Sequence, residues 1–108
     1  YDAVVSLDTI EHIPPMREDD FLWAAVNCLP SFGVMVVGTP NVRFLDLASP
    51  QSKVGHINVY THDRLHALMS RYFHVVIMAG MQDTSVHFGH PEARHYHLAV
   101  GIGPRRQE

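Results

Sequence analysis

One hundred and eight residues, 46% of them apolar, suit one small domain with a single core that leaves at least about a third of the chain's surface in water. A formal charge of −3 supplies no broad basic field, which argues against nucleic-acid binding through phosphate neutralisation. The lone cysteine, Cys28, excludes a disulfide framework and favours a reducing, cytoplasmic compartment; no apolar run is long enough to span a membrane and no secretory signal pattern is visible.

In chain order, residues 2–7 form a short apolar run with β-branched Val4 and Val5, the pattern of a buried parallel strand. It leads straight into Asp8, Glu11 and His12, at the end of a strand where open α/β sheets keep their ligand crevice. Pro14 and Pro15 precede a helix over residues 18–29, whose acidic start (Glu18, Asp19, Asp20) suits its positive end. Phe21, Ala25, Cys28 and Leu29, widened by Leu22 and Val26, make its apolar stripe, so Cys28 is expected to be a buried structural thiol.

Pro30 and Gly33 end that helix, and residues 34–38 read as a second buried strand closing in Thr39-Pro40-Asn41. A long irregular stretch to Tyr60 follows, with Phe44, Leu45 and Leu47 forming one helical turn. Thr61 can cap a helix over residues 62–72 with Leu65, Leu68, Met69 and Tyr72 on its apolar face. Residues 73–79 read as a strand, 80–94 as a polar connection, and 95–102 as a final strand; two strands with no intervening helix favour antiparallel pairing. Arg105 and Arg106 are expected to be solvated.

Asp8 and Glu11 are three residues apart, which puts both carboxylates on one side if the backbone winds as a helix there. With the His12 imidazole they could hold a hard divalent ion; alternatively Glu11 or His12 could take a proton from a substrate hydroxyl, or the carboxylates could simply charge a helix start. His87, His90, His95 and His97 cluster nearer the end of the chain, and His95 and His97 share a strand face, a spacing compatible with zinc. No cysteine or paired carboxylate completes a tetrahedral set, so a polar, exposed or half-buried face is expected.

Three segments occur in a recognisable order: Val4-Val5-Ser6-Leu7-Asp8-Thr9-Ile10-Glu11-His12-Ile13; Val34-Met35-Val36-Val37-Gly38-Thr39-Pro40-Asn41 after Pro30-Ser31-Phe32-Gly33; and Gly55-His56-Ile57-Asn58-Val59-Tyr60-Thr61. Together they resemble class I S-adenosylmethionine-dependent methyltransferases, in the branch of ubiquinone-type O-methyltransferases and small-RNA 2′-O-methyltransferases. The resemblance covers residues 1–103 and implies the C-terminal half of a Rossmann-like α/β fold. That half holds the family's strands four to seven with flanking helices, the last strand antiparallel between the fifth and sixth, and leaves residues 104–108 as a disordered tail. No Gly-x-Gly-x-Gly turn and no acid closing a second strand are present, so the half that carries them is expected to be missing.

By the same resemblance Leu7, Asp8 and Thr9 would line the methionine and ribose side of S-adenosylmethionine, and Glu11 or His12 would act as catalytic base. Ile10, Asn41, His56 and Tyr60 would line the acceptor, while Asp8, Glu11, His12 and His56 could hold magnesium, with Asp8 standing where the family usually has Glu. The implied activity is O-methylation of a small-molecule, lipid or sugar hydroxyl by the longer parent, with this chain inactive alone. The alternatives are a non-catalytic binding or oligomerisation module and, more distantly, a metal-dependent hydrolase. A bare apolar edge at residues 2–7 would favour a homo-oligomer.

Overall fold

The computed structural model describes residues 1–41, 58–82, 85–88 and 95–106. Strand β1 (Ala3–Leu7) leads through two short 3₁₀ turns, Ile10–His12 and Pro15–Arg17, into helix α1 (Glu18–Val26). Strand β2 (Val34–Pro40), helix α2 (His62–Ser70) and strands β3 (Phe73–Gln82), β4 (Ser85–His87) and β5 (Tyr96–Pro104) follow. The strands build one mixed sheet in the order β1-β2-β5-β3-β4. Among the described strands β1 and β2 run parallel, and β5 is antiparallel to both of its neighbours, as expected for the last strand.

Register explains which side is core, because alternate residues of a strand face opposite ways. Ser6, Val37, Ala99 and Met78 share one row across the sheet, in which Val37 and Ala99 are fully buried. Met35, Thr39 and His97 are buried on the same face, and Leu22 and Val26 of α1 join Leu65 and Met69 of α2 in the cluster packed there. The adjacent row holds Val5, Val36, Val100 and Ile77, of which Val5 is 63% and Ile77 43% exposed. The apolar runs therefore do not mark strands buried on both faces among the described residues; one face is packed by helices and the other carries exposed β-branched side chains.

Helix α2 starts as expected, with the Thr61 hydroxyl accepting the Arg64 N–H at 3.1 Å. Three expectations need correction. Helix α1 stops at Val26 rather than at residue 29, so Cys28 lies in the turn beyond it and is exposed, its thiol donating to the Ala24 carbonyl. Strand β3 continues to Gln82 and pairs with β4, so the polar connection after residue 79 begins as sheet. The end of the chain is also ordered through Arg106. Pro104 completes β5, Arg105 binds the carbonyl of Ser70, the last residue of α2, and Arg106 binds the Val26 and Leu29 carbonyls at the end of α1. Consecutive guanidinium groups thus cap both helices where their carbonyl ends carry negative charge, so neither arginine is merely solvated. No described helix is long and apolar enough to cross a membrane.

Candidate functional site

The site is built at the carboxyl ends of β1 and β2. The Asp8 N–H prolongs the ladder by one bond, to the Gly38 carbonyl at 3.0 Å, and then the backbone turns at φ +57°. That left-handed conformation is uncommon outside glycine but best tolerated by Asp and Asn. It takes the chain out of the sheet immediately after Leu7 and leaves Asp8 exposed beside a cavity of about 420 Å³. Leu7, Leu98 and Met81 form the apolar wall of this cavity, and Asp8, Tyr96 and His95 supply its polar groups.

Tyr96 reaches Asp8 from two strands away. A Cβ placed on Gly38 would sit 2.7 Å from the Tyr96 ring and hydroxyl and 2.7 Å from Leu7 Cδ2, so only glycine lets the ring lie across β2. The phenol's ionisation is pushed well above its ordinary range, first by burial and then by its hydrogen bond with the Asp8 carboxylate.

The 3₁₀ turn Ile10–His12 sends its side chains in different directions. Ile10 is fully buried in the apolar core rather than facing an acceptor. Glu11 is 1% exposed, and its Oε1 accepts the Thr39 hydroxyl at 3.0 Å, on the helix-packed face of the sheet. The His12 side chain remains 48% exposed, with Nε2 4.0 Å from Glu11 Oε2, an ion-pair distance too long for a hydrogen bond. A buried carboxylate thus stands behind an accessible imidazole. Asp8 opens instead onto the other face, so the turn does not gather Asp8, Glu11 and His12 around one point. Among the described residues no three His, Cys, Asp or Glu side chains are placed to share a metal ion, and His56 lies outside those residues.

The remaining expected residues are structural partners of this turn. Asn41 is buried, donates its N–H to the His95 carbonyl and forms a parallel bridge with Tyr60. Tyr60 is fully buried, with its hydroxyl donating to Glu18 Oε2 at 2.7 Å while Asn58 Nδ2 donates to the same oxygen at 2.6 Å. The Arg64 guanidinium stacks 4.2 Å from the Tyr60 ring and reaches Glu18 at 3.3 Å. Burial first, and then the Glu18 hydrogen bond, push the Tyr60 phenol's ionisation upward. The Asn58 N–H donates to the Glu11 carbonyl, so this network fastens the segment before α2 to the turn.

His97 is fully buried, correcting the expected polar face: β5 is an inner strand, and the His97 ring lies 6.4 Å from that of His62 on α2. His95 is half-buried at the cavity, and His90 lies outside the described residues. Tyr96 and Gly38 were the elements missed by sequence reasoning. The available signal was a glycine near a strand end with an aromatic residue on a strand expected to lie beside it.

The sequence matches no protein-family model, and no curated protein matches it. Among solved structures, it is similar to a SAM-dependent methyltransferase from Thermotoga maritima described as a possible histamine N-methyltransferase. The TM-score is 0.72 at 15% identity, over 94% of this chain and 55% of that one. The fold is therefore methyltransferase-like, and the chain spans about half the length of that protein.

Proposed function

We propose that this chain supplies the strand-four-to-seven half of an S-adenosylmethionine-dependent methyltransferase that methylates a hydroxyl of a small molecule, lipid or sugar, and that it does not turn over alone. The observation that carries this reading is the sheet order, with β5 antiparallel between β2 and β3, together with a turn-out of the chain at Asp8 beside a cavity. An exposed carboxylate next to an apolar wall fits a cofactor that carries hydroxyl and ammonium donors and an adenine ring. Leu7, Asp8 and Thr9 would hold it.

When bound, the cofactor supplies an activated methyl group on a sulfonium. The chain's own work is then to align the acceptor and manage its proton. His12 is the accessible base for that proton, with Glu11 buried behind it. Asn41 and Tyr60 shape the crevice through its backbone, their side chains being buried. Calorimetric titration with S-adenosylhomocysteine, with and without magnesium, tests the reading. Weak saturable binding supports it whether or not magnesium is present, and no binding by folded chain would sink it.

A second reading, a binding or oligomerisation module, is favoured by one observation. Strand β1 is an edge of the sheet, with Val5 and Leu7 exposed beside it. In this reading two copies pair through residues 2–7.

A further inference from the structure

We propose that Tyr96 is a positioning residue for Asp8: reaching from β5 across Gly38, its hydroxyl anchors the carboxylate that the β1 end offers to a ligand in the adjoining cavity. The inference rests on the cofactor reading above and adds a residue from the opposite end of the chain.

Three observations converge. Gly38 is bare where the phenol crosses, and any Cβ there would collide with the Tyr96 ring and hydroxyl and with Leu7 at 2.7 Å. The Gly38 carbonyl holds the Asp8 N–H, so the residue beneath the ring also fixes the backbone that Tyr96 secures by its side chain. Both Asp8 and Tyr96 line the same cavity of about 420 Å³. An exposed carboxylate on a left-handed residue would otherwise sample several rotamers. A phenol donor occupying one of its lone-pair sites leaves the others directed at the cavity, where they can accept from a ligand hydroxyl or ammonium.

Being neutral, the phenol orients Asp8 without cancelling its charge, whereas a lysine or arginine would compete with a cationic ligand group. The contact uses different side chains from the Glu11–Thr39 hydrogen bond, which lies on the helix-packed face.

The test compares the wild-type chain with Tyr96→Phe, Asp8→Asn and the double variant, each confirmed folded by circular dichroism. Absorbance titration of the phenols reads the link without any ligand. Asp8→Asn should lower the pH at which one tyrosine ionises, and that tyrosine should be the one missing from Tyr96→Phe. Amide shifts under S-adenosylhomocysteine read the function. At fixed ligand the bound fraction should fall about five- to tenfold in Tyr96→Phe, the loss of one oriented hydrogen bond, with no further fall when Tyr96→Phe is added to Asp8→Asn.

Unchanged phenol ionisation in Asp8→Asn would overturn the link. Unchanged ligand response in Tyr96→Phe would overturn the positioning role. If the wild-type chain gives no response to S-adenosylhomocysteine, the cofactor reading fails and takes the positioning role with it, while the phenol titration still decides whether Tyr96 holds Asp8.

Discussion

Thr39 Oγ1 donates to Glu11 Oε1 at 3.0 Å, tying the end of β2 to the turn that follows β1 with both side chains buried. Glu11 is buried, so Thr39→Val, which keeps the shape and removes the hydroxyl donor, should cost about 1–3 kcal/mol. Denaturant midpoints measure this, and Thr39→Ser should recover most of the loss. Equal stability of the Val and Ser variants would mean that the bond contributes nothing.

Gly38 carries the second prediction. Gly38→Ala forces a methyl against the Tyr96 ring and the Leu7 side chain, an overpacking that should cost about 1–3 kcal/mol and displace the ring from Asp8. The melting temperature should fall, and the tyrosine coupled to Asp8 should ionise at lower pH. A melting temperature equal to wild type would show that the ring does not cross there.

The tyrosines give a pH prediction with a definite sign. Ionisation of Tyr60, Tyr72 and Tyr96 is pushed above the ordinary value of 10.0, mainly by burial in each case. Their protonated forms are favoured by the fold, so their contribution is full below pH about 10 and is lost as pH rises through the folded values. Stability should therefore decline in alkali, with these three phenols titrating later in the folded than in the unfolded chain. Titration of all four tyrosines together near pH 10 in a folded sample would contradict it.

Much of the fold could be read from local pattern. The Thr61 cap, the β-branched run at 34–38 and the alternation through Tyr96, Leu98, Val100 and Ile102 each rest on neighbours within a few residues. What could not be read depends on long-range register. The Asp8–Tyr96 approach requires β5 to lie beside β2 with Leu98 opposite Gly38, and residues 8 and 96 say nothing of this separately. Glu11 was legible as a charged group but not as an inward one, because the tighter 3₁₀ winding buries it beside Ile10. The burial of His97 follows likewise from the inner place of β5, which alternation alone does not give.

The edge position of β1 predicts association. The wild-type chain should sediment as a concentration-dependent dimer or larger species, and Val5→Lys, a charge on the exposed face at that edge, should shift it toward monomer. A wild-type chain that stays monomeric at high concentration would leave the oligomerisation reading without support.

The central claim, that the end of β1 faces the cofactor, is tested most directly by following backbone amides of the labelled chain during titration with S-adenosylhomocysteine. The account predicts saturable shifts concentrated at Leu7, Asp8 and Thr9 and at Gly38 beneath the cavity, with Ser70 and Arg71 at the far end of α2 unmoved. Shifts centred on those far residues, or none in a folded sample at the solubility limit of the ligand, would contradict it.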